Sequence, residues 1–171
     1  MRLVKYLFLF LFTFLVALFF FMPKENLYYY LEKELQKHNI IISNEKISTT
    51  PVSLKIVHAD VSAQGIPIAY ITEAKFTTYL FYNTLSLNSI ELKNIAKDFI
   101  QSDIEEILLK ENITNPFYIS VDITGEFGRA KGYIDLKKRL LHLDVTLQKE
   151  IPAIRSYLQQ SDKGWYYEYK F

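Results

Sequence analysis

Leu141-His-Leu-Asp-Val-Thr-Leu147 alternates apolar and polar residues without a fault. A period of two puts successive side chains on opposite faces of a β-strand, one face buried and the other wet. The same pattern runs outward from this stretch. Ile119, Val121 and Ile123 alternate with Ser120, Asp122 and Thr124, and Gly125 ends the run. Ile134 and Leu136 alternate with Tyr133, Asp135 and Lys137. Upstream, Val52, Leu54 and Ile56 form one set, Ala74, Phe76 and Thr78 another, and Leu85 and Leu87 a third. Ile90 and Leu92 fall on the opposite parity to Leu85 and Leu87, which predicts a bulge near Asn88 and Ser89. The chain closes on Trp165, Tyr167, Tyr169 and Phe171, alternating with Tyr166, Glu168 and Lys170. Short strands separated by turns predict a mostly antiparallel sheet over residues 40–171.

Two short helices interrupt this pattern in the sequence reading. Pro152, Ile154, Tyr157 and Leu158 predict a short amphipathic helix before the last strand. Within 95–110, Ser102 and Glu105 fit a capping box, and Ile100, Ile104, Ile107 and Leu108 fit a helical stripe. The run from Ile104 to Leu109 also fits a strand; the helix is the favoured expectation.

The N-terminal part is of a different kind. Residues 6–22 carry no charge, and Thr13 is their one mildly polar member. As a helix they would span ~25 Å, close to the ~30 Å hydrocarbon core, and Lys5 can snorkel to lengthen the span. Bulky Phe19, Phe20, Phe21 and Met22 stand where a signal peptidase needs small residues, so an uncleaved anchor is expected over 1–22. Arg2 and Lys5 precede it, and the positive-inside bias then puts the N-terminus in the cytoplasm and the C-terminal domain in the periplasm of a bacterial inner membrane. Pro23 opens a membrane-proximal helix over 23–39, with a stripe of Leu27, Tyr30, Leu31 and Leu35. The expected fold is therefore α+β: one transmembrane helix, one or two short amphipathic helices, and a mostly antiparallel β-sheet.

Composition narrows the function. Of 171 residues, 20 are Lys or Arg and 19 are Asp or Glu, a net charge of +1. Such a balance argues against nucleic-acid binding. With no cysteine there is no disulfide, thiolate metal site or cysteine nucleophile. His38, His58 and His142 stand too far apart in sequence for a local metal cluster, and no phosphate-binding or nucleophile-elbow motif occurs. His142 and Asp144 share a strand face and read as a solvated pair. No cofactor, metal or catalytic residue is expected, and the chain is read as non-enzymatic.

Two features invite a partner. Trp165, Tyr167, Tyr169 and Phe171 form an aromatic strand face, either core or an interaction edge. Lys137, Lys138 and Arg139 cluster at a hairpin turn, either a solvated tip or a contact for anionic lipid headgroups.

Pro51-Val-Ser-Leu-Lys-Ile, Ala59-Asp-Val, Gly65-Ile-Pro-Ile-Ala, Ala74-Lys-Phe, Leu80-Phe-Tyr-Asn and Leu85-Ser-Leu with Ile90-Glu-Leu follow one another in order. This series resembles the membrane-proximal β repeat of AsmA-like proteins and of the type II secretion protein N family. Gly125-Glu-Phe-Gly-Arg-Ala-Lys-Gly-Tyr-Ile-Asp-Leu resembles their glycine-punctuated strand pairs. The resemblance implies an inner-membrane envelope component and not a reaction. The favoured expectation is a scaffold or assembly component of an envelope machine, of secretion-system or flagellar-motor type, with other envelope proteins as partners. The alternative is an AsmA-like protein that binds or transports lipid, which requires an apolar groove open along the sheet.

Overall fold

The computed structural model describes residues 2–21, 23–79, 81–100, 102–147, 155–162 and 164–171, with side chains at 2, 3, 15, 18, 19, 95, 99 and 100 outside that description. The chain is α+β and dominated by antiparallel sheet, as the alternation predicts. Its helices are α1 (Arg2–Phe21), α2 (Lys24–Lys37) and α3 (Asn94–Ile100). The strands are β1 (Ile40–Ser43), β2 (Lys46–Thr49), β3 (Ser53–Ala63), β4 (Ile66–Thr78), β5 (Tyr82–Leu92) and β6 (Ile104–Asn112), followed by β7 (Asn115–Gly125), β8 (Gly128–Asp135), β9 (Leu140–Leu147), β10 (Gln159–Ser161) and β11 (Gly164–Lys170).

All the strands belong to one sheet, in the order β1-β3-β4-β5-β6-β7-β8-β9-β11-β10, with β2 pairing beside β1 on β3. From β3 to β9 this is a plain meander, each strand hydrogen-bonded to the next in sequence. The hairpin turns therefore alternate between two ends of the sheet.

The register explains why one face is apolar. Cross-strand partners line up as Leu54, Phe76, Leu85, Leu109, Val121, Gly132, Leu143 and Tyr167, one residue from each strand from β3 to β9 and then β11. A second row is Ile56, Ala74, Leu87, Ile107, Ile123, Ala130, Val145 and Trp165. Side chains directly opposite one another share a face, so both rows lie on one side of the sheet.

In place of the bulge expected near Ser89, β5 and the strands facing it skip one residue each, so β5 gains no extra residue there. His58, Thr72, Ser89 and Glu105 lie at one level across β3–β6 and are skipped by the ladder pairing. His58 (φ 61°) and Ser89 (φ 52°) take left-handed backbone there. Beyond this level the apolar positions change parity in all four strands, to Ala59, Ile71, Ile90 and Ile104, so the same face stays apolar across the bend.

Further sequence expectations change. Residues 95–110 are not one helix: α3 ends at Ile100, and Ile104–Asn112 is β6. The helical stripe misled because Glu105 is an extra residue in β6. It shifts Ile104 against Ile107 and so imitates a spacing of three. Of the helix read from Pro152, Ile154, Tyr157 and Leu158, Pro152 and Ile154 lie outside the described residues; Arg155 is helical, Tyr157 lies in a turn and Leu158 has no regular structure. The 23–39 segment carries α2, but the face toward the sheet is that of Lys24, Leu27, Tyr28 and Leu31; Tyr30 of the expected stripe is exposed.

α1 is a 20-residue helix with exposed Phe and Leu side chains along its described length. Among the described residues, no helix is long and apolar enough to cross a membrane.

Candidate functional site

The site is the apolar face of the sheet. α2 lies across β1, β2 and β3. Lys24, Leu27, Tyr28 and Leu31 recur at i, i+3, i+4 and i+7, a single stripe, and together they form the roof of a cavity. Its floor is Leu54, Ile56, Ala59 and Val61 of β3, Ile71, Ala74 and Phe76 of β4, and Leu85 and Leu87 of β5, with Ile42 of β1 at the side. The cavity holds about 360 Å³, within the size range of small-molecule sites.

Polar contacts pin α2 at the cavity's edge. The Lys24 ammonium is buried and donates to the Pro51 carbonyl at 2.6 Å. The buried Tyr28 hydroxyl donates to Glu45 Oε1 at 3.1 Å. Burial pushes that hydroxyl well above the usual tyrosine range, and the Glu45 charge adds to the rise. Tyr28 is therefore a neutral donor at any physiological pH.

Beyond β5 the apolar rows continue, but the described helices do not follow them: α2 rests on β1–β3 and α3 on β4. Ile107, Ile123, Leu143 and Val145 are half-buried. Over this half Phe127 packs with Ala130 against Ile123, Leu143, Val145 and Leu147, and the Arg155 guanidinium lies 5.1 Å from the centre of the Trp165 ring. Gly132 belongs to the same face. A Cβ there would collide with the backbone carbonyl of His142, so the strands β8 and β9 approach too closely for any side chain.

The aromatic strand ends these rows. Trp165 and Tyr167 stand opposite Val145 and Leu143 and are half-buried, while Tyr169 and Phe171 are exposed. They form the far wall of an open face. β10 covers β11 only from Gly164 to Tyr166, leaving the outer backbone edge beyond Tyr166 without a neighbouring strand among the described residues. Lys137, Lys138 and Arg139 sit together in the β8–β9 turn. Asp135 Oδ1 accepts the backbone N–H of both lysines at 3.0 Å, and the Lys137 ammonium lies 4.7 Å from the centre of the Phe117 ring.

The opposite face is polar. Arg129 forks onto Asp122 at 2.7 and 2.6 Å, and Lys131 approaches the same carboxylate at 3.7 Å. The Arg129 hydrogen bonds hold the Asp122 carboxyl below its ordinary range. A ladder of stacked rings, Tyr118, Tyr133, His142 and Tyr166, crosses four strands with centroids 4.9, 5.4 and 5.5 Å apart. The His142 ring nitrogens face Asp144 at 3.4 Å and Glu168 at 3.5 Å. The sequence shows the Asp144 pairing; the ladder and Glu168 need the register between β8, β9 and β11. Among the described residues there is no group of three or more metal-ligating side chains. No known protein family, curated protein or solved structure matches the chain.

Proposed function

We propose that this is a non-enzymatic, membrane-tethered groove protein of the bacterial envelope that holds the acyl part of a lipid against its sheet. One observation carries the reading: two rows of apolar residues, interrupted by Gly132, run across the strands from β3 to β11, yet among the described residues the helices rest on the β1–β4 side. A single-layer sheet with a continuous apolar face needs something apolar on it, and large apolar surfaces of this kind mark binding sites. The groove is the requirement attached to the AsmA-like reading, so the geometry favours lipid handling over the scaffold. α1 supplies the tether: 20 residues of helix rise ~30 Å, the thickness of a hydrocarbon core. On this reading Arg2 and Lys5 favour a cytoplasmic start for α1, with residues 23–171 in the periplasm.

The scaffold reading stands second, on the outer edge of β11 beyond Tyr166, which offers main-chain groups for an added strand.

Native mass spectrometry of the full chain in detergent, delipidated and then given phospholipid, tests the first reading. A bound lipid is expected, lost when Leu87→Asp and Ile107→Asp put charges into both halves of the face. A chain that takes up no lipid, or whose uptake ignores both substitutions, overturns it. An alkaline phosphatase fused after Phe171 is expected to be active in cells; an inactive fusion beside an active cytoplasmic reporter reverses the orientation.

A further inference from the structure

The two ends of the sheet differ sharply. One end carries the β2–β3, β4–β5, β6–β7 and β8–β9 connections and the C-terminus of β11; the other carries the β3–β4 and β7–β8 turns and the β5–β6 connection that holds α3. Among the described residues, exposed large apolar side chains concentrate at the first. Phe81 is 71 % exposed, Ile113 and Phe171 are each 52 % exposed, and Val52, Phe117 and Leu136 are exposed with them. Near the turns of the other end, Ile41 and Ile66 are the large apolar side chains exposed among the described residues.

These tips form a built rim. Backbone hydrogen bonds carry the ladder past the strands: Thr78 N–H to the Val52 carbonyl at 2.8 Å, Ile113 to Phe81 at 3.0 Å, Leu136 to Phe117 at 2.8 Å and Phe171 to Arg139 at 3.0 Å. Tyr79 and Tyr82 stack at 4.4 Å beside Phe81. Lys137, Lys138 and Arg139 add positive charge on this edge, with Asp135 beneath them. Aromatic rings and aliphatic tips interleaved with lysine and arginine are the composition that partitions into an anionic lipid–water interface.

Continuity points the same way. The Lys24–Pro51 hydrogen bond fixes the start of α2 at this end, and Phe21, the last residue of α1, is only three residues earlier. The rim and the exit of the apolar helix are neighbours.

We propose that this end of the sheet docks on the surface of an anionic bilayer, its turn tips Phe81, Ile113, Phe117 and Leu136 sunk among the headgroups and Lys137, Lys138 and Arg139 on the phosphates. The proposal rests on the reading of α1 as a membrane anchor, and it goes further by fixing which way the sheet stands. The open groove then begins at the lipid surface.

The natural absence of cysteine makes the test direct. The full chain carrying Phe81→Cys, Leu136→Cys or Gln64→Cys is labelled with a polarity-sensitive dye and reconstituted in vesicles of phosphatidylethanolamine and phosphatidylglycerol with lipid-borne quenchers. Labels at 81 and 136 should be quenched at least about threefold more than the label at 64, on the opposite end. Quenching at 136 should fall by about half when phosphatidylcholine replaces phosphatidylglycerol or when salt is raised to 0.5 M. Equal, solvent-level signals from all three sites in a carbonate-resistant chain would overturn the docking and leave the anchor standing. A carbonate-extractable chain whose labels at 81 and 136 are still quenched would sink the anchor and keep the docking. Extraction with no quenching would remove both. Quenching at 136 that ignores both lipid charge and salt would overturn the assignment of Lys137, Lys138 and Arg139 to phosphates.

Discussion

Leu54 and Leu143 occupy the same row of the same face, yet their surroundings differ. Leu54 is 6 % exposed beneath α2, in the β1–β5 half. Leu143 is half-buried in the β6–β11 half, where Phe127 is the main cover. Alternation along each strand is equally regular in both halves. What differs is whether a second layer arrives. A period of two therefore marks a face that avoids water, without saying whether the chain itself supplies the partner.

That contrast has measurable consequences. The largest belongs to the covered half: Leu54→Ala is expected to destabilise the domain by about 3 kcal/mol, because it removes buried methyl groups and leaves a hole under α2. Thermal denaturation of the full chain in detergent checks it. Gly132→Ala comes next, at about 2 kcal/mol, since the new methyl group meets backbone that cannot step aside. A value near zero would mean that β8 and β9 can separate freely. Leu143→Ala, in the open half, should cost only about 1 kcal/mol, and lipid should raise the melting temperature of the wild type more than that of this variant. Equal losses at 54 and 143 would erase the distinction between the halves.

The smallest effect lies on the polar face. Asp122 has its pKa depressed in the folded state by the Arg129 hydrogen bonds, so it favours folding above the ordinary carboxylate pKa of ~4. That contribution fades as pH falls through the lowered folded-state value. Melting temperatures of wild type and Asp122→Asn should therefore differ most near pH 6 and converge toward pH 2. The pair is solvent-exposed, so the gap should be no more than a few degrees.

The legible and illegible parts of this molecule separate along physical lines. β7, β9 and β11 were legible because each keeps strict alternation, one apolar face against one polar face; of β8 only Tyr133–Asp135 was, since Leu136 and Lys137 of the expected run lie in the turn beyond it. β5 was legible with its change of parity, since Ile90 and Leu92 break the alternation in plain view, though the break is shared by its neighbours and is not a bulge. β6 was not: Glu105 shifts the pattern by one residue, and the result satisfies a helical template just as well. β1, β2 and β10 are three or four residues long, too short to display a period. The basic turn and the aromatic strand could be named from sequence. The cavity could not, because Lys24 meets Pro51, and Tyr28 meets Glu45, only after α2 folds back over β3. The rim of turn tips was hidden for a similar reason. Phe81, Ile113 and Leu136 are scattered singly along the chain, and only the meander gathers them at one end.

The skipped positions His58, Thr72, Ser89 and Glu105 make four strands change facing in concert. Deleting any one of them would turn half a strand inside out, sending its greasy residues to the wet side while its three neighbours kept theirs. Length changes here would have to come as a matched set, which makes this crease the least editable line in the protein.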